Sequence, residues 1–252
     1  MNFQEKLDAI VKKNNSLLCV GLDQGEFEFN QKIIDQTHDL VCAYKPNFAF
    51  YEVLGSKGWE NLKKTVEYIQ HYHPGVVTIA DAKRADIGNT NNGYVTAIFD
   101  ELKFDAVTVN PYFGQEALQP FLDRKDKGII ILCRTSNPGS GEFQNLLWEK
   151  VARNVVKDWN KTNNCLLVVG ATYPEELKKV REIVGEMTLL VPGIGAQGGD
   201  VTKTVKAGLN LKKAGMIINS SRGIIFAENP RLEAQKLRDE INKYRQYCQK
   251  TA

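Results

Sequence analysis

Long apolar runs are missing from this sequence: no stretch approaches the ~20 apolar residues that a helix needs to cross a bilayer. The opening residues, MNFQEKLDAIVKKNN, are charged and amphipathic and lack the apolar centre of a signal peptide. The expected location is therefore the cytoplasm, with no membrane partner. Histidine is scarce. His38, His71 and His73 form no metal-ligand spacing, and the last two read as the exposed end of a helix before Pro74-Gly75. The five cysteines (Cys19, Cys42, Cys133, Cys165, Cys248) are odd in number and scattered, with no CxxC pair. That pattern gives no sign of a disulfide framework or a metal site. Four of them lie in apolar runs and read as buried, reduced thiols, so neither a metal nor a thiol nucleophile is expected. Charge of one sign is also in short supply. A net charge of +3 can attract a small anion but falls well short of a nucleic-acid-binding footprint.

What is present is a regular alternation. Apolar residues make up 42% and charged residues 25%, the balance of a soluble protein with a substantial core. Short apolar runs of four to six residues recur eight times: Leu17–Leu22, Val41–Tyr44, Val76–Ala80, Ala106–Val109, Gly128–Cys133, Cys165–Val169, Thr188–Val191 and Gly215–Asn219. Runs apolar on both faces suit parallel strands covered on both sides. Helical patterns lie between them, including Trp59–His71, Phe143–Trp159, Pro174–Val184 and Pro230–Tyr247. Pro174–Val184 starts with proline in its first turn and stops before Gly185. Eight strand-then-helix units without a linker predict an α/β fold, a (β/α)8 TIM barrel forming a single domain over 1–252. The competing open, doubly wound sheet needs a glycine-rich phosphate loop after its first strand, where this chain reads Gly21-Leu22-Asp23-Gln24-Gly25.

A barrel locates its chemistry at the C-terminal ends of the strands. Polar residues gather there: Asp23, Lys45 with Asn47, Asp81 with Lys83 and Asp86, Asn110, Arg134 with Ser136, Gln197, and Ser221 with Arg222. In an extended strand, residues two apart share a face, so Asp81 and Lys83 point together into the barrel mouth. Lys45 ends the neighbouring strand, and Asp86 lies where the chain turns into a helix starting near Asn89. The expectation is an alternating set of two lysines and two aspartates, stable in a partly desolvated pocket only when paired. Ordinary ion pairs at the rim are the bland alternative.

The segment Asp81–Thr90, DAKRADIGNT, resembles the signature of orotidine 5'-phosphate decarboxylases, in the branch carrying DAKR-x-DIG-x-T. The resemblance extends over essentially the whole chain. It takes in Cys19–Asp23, Lys45-Pro46-Asn47, Arg134–Gly139, the glycine-rich Pro192–Asp200, and Asn219–Gly223. Ala85 stands where that branch often carries glycine, and Asn91 where it often has a small residue.

The resemblance implies decarboxylation of orotidine 5'-phosphate to UMP, the last step of de novo pyrimidine nucleotide synthesis, with no cofactor and no metal. Losing CO2 from C6 leaves carbanion character without an electron sink, so fixed protein charges must stabilise it and deliver a proton. Lys83 is the expected proton donor. Asp81 is expected near the departing carboxylate, with Lys45 and Asp86 holding both in position. By resemblance, Ser136 meets the pyrimidine edge, Asp23 and Thr90 the ribose hydroxyls, and Asn47 the same pocket. Gly193–Gly199, Gln197 and Arg222 form the phosphate site, a position common in barrels. The resemblance further implies a homodimer in which Asp86 and Thr90 complete the partner's site. Two other readings stay open: a Mg2+-dependent sugar-phosphate aldolase or decarboxylase of the same barrel group, and a non-catalytic barrel that binds a phosphate ligand.

Overall fold

Eight short parallel strands form the frame: β1 (Leu18–Gly21), β2 (Ala43–Lys45), β3 (Val77–Arg84), β4 (Ala106–Val109), β5 (Gly128–Arg134), β6 (Cys165–Val169), β7 (Leu189–Pro192) and β8 (Met216–Ser220). The computed structural model describes residues 1–195 and 198–247. Each strand pairs with its sequence neighbour, and β1 closes on β8 with Leu18 opposite Ile218, giving a closed barrel in chain order. Helix α1 (Phe3–Asn14) precedes the first strand, and α2 (Phe27–Thr37) follows it. After β2 come α3 (Ala49–Glu52) and α4 (Gly55–Tyr72), after β3 α5 (Asn89–Val95), and after β4 α6 (Gly114–Leu122). The later strands are followed by α7 (Gly141–Asn154), α8 (Pro174–Val184), α9 (Val201–Gly208), and the pair α10 (Arg222–Ile225) and α11 (Pro230–Tyr247). The expected (β/α)8 barrel is the observed fold.

Two apolar layers hold it together. Side chains in step with Lys45 and Asp81 fill the barrel interior, among them Ile79, Ala106, Ile130, Leu166 and Ile217, all essentially without solvent contact. Those of opposite parity, such as Val107, Ile129, Ile131, Leu167 and Ile218, pack outward under the helices. Burying a side chain of this size contributes roughly 1.5–3 kcal/mol, so the frame is rigid where the polar strand ends emerge. Cys19, Cys42, Cys133 and Cys165 are buried free thiols, as expected, and Cys248 lies outside the described residues. Burial pushes the thiols of Cys42, Cys133 and Cys165 up to about 12. No described helix is long and apolar enough to cross a membrane.

Helices α8 and α11 have the predicted bounds, several strands shift by one or two residues at their ends, and three elements differ further for identifiable reasons. Helix α4 starts at Gly55, four residues before the predicted Trp59. Apolar spacing alone does not reach this first turn, where Gly58 is needed because a Cβ would fall 1.8 Å from the Tyr51 carbonyl oxygen. The predicted Phe143–Trp159 helix starts at Gly141 and changes to a π-helical turn over Val155–Trp159. Strand β3 runs on to Arg84 instead of stopping at Ala80. The polar DAKR segment ends the apolar run, but it stays paired through an irregular register with β4, described below. His71 is exposed as expected, whereas His73 is half-buried and stacks on His38 with ring centroids 4.0 Å apart.

Candidate active site

The barrel mouth opens into a cavity of about 400 Å³. Its polar lining comes from strand ends: Asp23 after β1, Lys45 and Asn47 at and after β2, Asp81 and Lys83 on β3, Ser136 after β5, and Arg222 at the start of α10. Leu132, Val168 and Leu190 supply apolar wall.

Asp81 is the hub. Its Oδ2 accepts from Lys45 Nζ and its Oδ1 from Lys83 Nζ, each at 2.5 Å. Lys45 and Asp81 are buried, whereas the Lys83 side chain is 47% exposed and reaches into the open part of the cavity. Burial opposes the charged form of Lys45, but the carboxylates of Asp81 and Asp23 outweigh it and hold the ammonium well above the ordinary lysine range. Burial likewise opposes charge on Asp81, and the two ammonium groups hold its carboxyl well below the usual carboxylate range. Both groups are therefore ionised at neutral pH.

The backbone explains how Asp81 and Lys83 come to share a face. Regular extension does not do it, because Lys83 has φ 48. A left-handed conformation costs a non-glycine residue roughly 1–2 kcal/mol. Ala80 pairs with Val107 and Arg84 with Val109, so β3 advances four residues while β4 advances two. The excess forms a bulge that carries Asp81, Ala82 and Lys83. Such irregularities at strand ends re-aim side chains.

Around this triad, Asp23 presents a buried Oδ1 without a hydrogen-bond partner. A carboxylate oxygen buried without a partner is costly, and Asp23 also lines the cavity. Asn47 continues the β2–β3 pairing as a bridge to Asp81, and its Oδ1 accepts from Ala49 N–H at 3.2 Å. Ser136 lies close against Gly170, where a Cβ would come within 2.8 Å of the Ser136 Cα. Arg222 is exposed, beside Ser221, whose hydroxyl donates to the Gly21 carbonyl at 3.1 Å. Gly193 and Ile194 also line the cavity, whereas Gln197 lies outside the described residues.

Asp86 and Thr90 do not join the lining of this chain's cavity. Asp86 Oδ1 accepts from the Ile87 N–H at 2.7 Å, and Thr90 is exposed on α5. Asn91 is fully buried; it accepts from Asp86 N–H at 3.0 Å and donates to the carbonyls of Asp86 and Ala117. Within one chain the charged set is thus Lys45–Asp81–Lys83, with Asp86 held apart. Arg134, grouped with Ser136 in the sequence, is buried elsewhere: its guanidinium stacks on Tyr173 at 3.8 Å and donates to Ser140 Oγ.

Sequence reasoning overlooked Thr108, which lines the cavity, and gave no role to Thr135 and Asn137 of the Arg134–Gly139 motif, which line it too. Thr108 is the only hydroxyl in the otherwise apolar run Ala106–Val109 and has the inward parity of Ala106, a signal that was legible. Among the described residues, no three His, Cys, Asp or Glu side chains cluster as metal ligands.

Comparison with known proteins decides the family. A sequence model described as "Orotidine 5'-phosphate decarboxylase / HUMPS family" matches residues 16–237. The chain belongs to this family. An orotidine 5'-phosphate decarboxylase of Azoarcus sp. (strain BH72) is 47% identical over 97% of this chain and 100% of its own length. The solved Leishmania donovani OMP decarboxylase superimposes with a TM-score of 0.91 at 40% identity, covering 97% of this chain and 99% of that one. The Leishmania donovani UMP synthase gives 0.93 at 42% identity, and there this chain spans 57% of the longer protein. In this member of the orotidine 5'-phosphate decarboxylase family, the DAKR segment lies on the bulge of β3 and supplies Asp81 and Lys83 to the triad, with Lys45 coming from β2.

Proposed function

We propose that this chain converts orotidine 5'-phosphate to UMP and CO2 in pyrimidine synthesis, by fixed charges and without a metal ion. Family membership makes it a carboxy-lyase. The observation that carries the mechanism is the double pairing of Asp81, one oxygen to Lys45 and the other to Lys83. Asp81 lends both oxygens to ammonium groups and so offers no free carboxylate for a divalent cation. The substrate's carboxylate faces Asp81, and Lys83 faces C6. As the C6–C bond breaks, its electron pair stays on C6, CO2 departs, and the Lys83 ammonium gives C6 a proton. Apolar wall around the triad lowers the local dielectric and strengthens these interactions. Lys45 keeps Asp81 ionised throughout.

The remaining lining residues bind the nucleotide. The Asp23 carboxylate accepts from a ribose hydroxyl, Ser136 meets the pyrimidine edge, and Asn47 supports the same pocket. Arg222 and Gln197 take the phosphate together with backbone N–H groups early in the glycine-rich loop, since those of Gly198 and Gly199 already donate within the loop. Binding energy at this remote group can be used to position the ring.

The active form is a homodimer in which Asp86 and Thr90 serve the partner's site. Ile87, Tyr112, Phe113, Phe143 and Leu146 support this reading: all are more than half exposed, on the segments following β3, β4 and β5. A run of exposed apolar side chains on adjacent segments marks an interaction surface. Buried free thiols suit the reducing cytoplasm.

The test is turnover in excess EDTA. Undiminished decarboxylation of orotidine 5'-phosphate supports the reading, while activity confined to a sugar phosphate with added Mg2+ assigns the chain to the family's metal-dependent branch.

A further inference from the structure

The bulge of β3 leaves a backbone donor without a backbone acceptor, and a side chain takes that donor up. Lys83 sits inside the register mismatch with φ 48, where the regular pairing with β4 is interrupted. The Lys83 N–H donates to Thr108 Oγ1 at 2.9 Å. The Thr108 hydroxyl in turn lies 3.2 Å from Asp81 Oδ1, the same oxygen that Lys83 Nζ holds. A hydroxyl can accept from one group while donating to another. Its other acceptor, the Ala80 carbonyl, is farther away at 3.4 Å. Thr108 is 1% exposed and sits on the rigid inner face of β4, so it cannot swing away from this task.

We propose that Thr108 is a positioning residue for the decarboxylation, fixing the backbone of Lys83 and the carboxylate of Asp81 relative to each other. The proposal rests on Lys83 being the proton donor. One hydroxyl thereby ties the donor's main chain to its counter-ion, replacing the ladder contact that the bulge removes. Valine has the same shape but can neither accept from Lys83 N–H nor donate to Asp81. Serine keeps both bonds. Displacing a reacting group by about 1 Å can cost roughly 100-fold in rate.

The experiment compares steady-state decarboxylation by Thr108→Val, Thr108→Ser and Lys83→Ala, with UMP affinity and thermal unfolding measured on each. Thr108→Val is expected to lose about 10- to 100-fold in kcat while KM and UMP affinity change less than about three-fold. Thr108→Ser is expected to restore most of the rate. Thr108→Ala, smaller and free of any bulk that could strain the site, provides the same readout should the valine variant not fold. With Lys83→Ala inactive, a valine variant within about two-fold of the wild type overturns the Thr108 proposal alone. A serine variant as impaired as valine also overturns it, because packing rather than the hydroxyl then matters. Full activity of Lys83→Ala removes the proton-donor reading and the Thr108 proposal together.

Discussion

Lys45 Nζ lies 2.5 Å from Asp81 Oδ2 with both side chains at most one-tenth exposed, so neither charge has water to fall back on. Replacing Asp81 by asparagine leaves the Lys45 ammonium buried without its counter-ion. Breaking a buried pair in this way typically costs about 3–5 kcal/mol, and urea unfolding of Asp81→Asn should show a loss of that order. The loss should also depend on pH. Asp81 is held below the usual carboxylate range, so its contribution is fully present above the unfolded value of about 3.9 and is lost as pH falls further. The stability gap between wild type and Asp81→Asn is therefore expected to stay flat from about pH 5 to 8 and to narrow below about pH 4. A gap that widens in acid contradicts the assignment.

The barrel was readable because parallel strands covered on both faces are continuous apolar runs, and all eight such runs became strands. The site was readable in outline for the converse reason: Asp23, Lys45, Asp81 and Arg222 interrupt that apolarity at strand ends. Conformation at Lys83 was not readable. Period-two reasoning brings Asp81 and Lys83 together by simple extension, whereas the chain achieves it through a bulge and a positive φ. The start of α4 was not readable either, because Gly58 carries no apolar signal and its role, close packing against the Tyr51 carbonyl, is visible only in three dimensions. Asp86 shows a third limit. Spacing along one chain placed it with the triad, yet Asn91 clamps its backbone outside the cavity lining.

Arg222 lines the cavity and is exposed. Arg222→Ala should raise KM for orotidine 5'-phosphate by about 10- to 100-fold, the loss of a charge-assisted fork. Its effect on the phosphate-free nucleoside orotidine should be negligible. Equal losses on the two substrates contradict a phosphate role.

Asp23 carries the unpartnered Oδ1. A site built to bind a substrate hydroxyl discriminates strongly against the analogue lacking it. The wild type is therefore expected to prefer the ribonucleotide over an analogue missing the bonded hydroxyl, and Asp23→Ala to compress that preference at least about ten-fold. Comparing kcat/KM for the two nucleotides on both proteins checks this. An unaltered ratio rules out the ribose contact.

If Asp86 acts across a two-fold dimer, Lys83→Ala and Asp86→Ala chains fail separately but complement each other. A statistical mixture then holds intact sites in about a quarter of its positions, because each mixed dimer has one site with both native residues. Co-refolding the two inactive variants should recover activity of that order. No recovery, with mixed dimers shown to form by mass, contradicts the shared site.

The central claim is that Lys83 delivers the proton in a metal-free decarboxylation. The most direct measurement is the fall in ultraviolet absorbance of orotidine 5'-phosphate in excess EDTA, for wild type and Lys83→Ala side by side. The account predicts rapid loss of absorbance with the wild type and a rate at least about 10³-fold lower with the variant, within the range of general-acid catalysis, while the variant still binds UMP. Comparable rates for the two proteins, or a wild type silenced by the chelator, would contradict it.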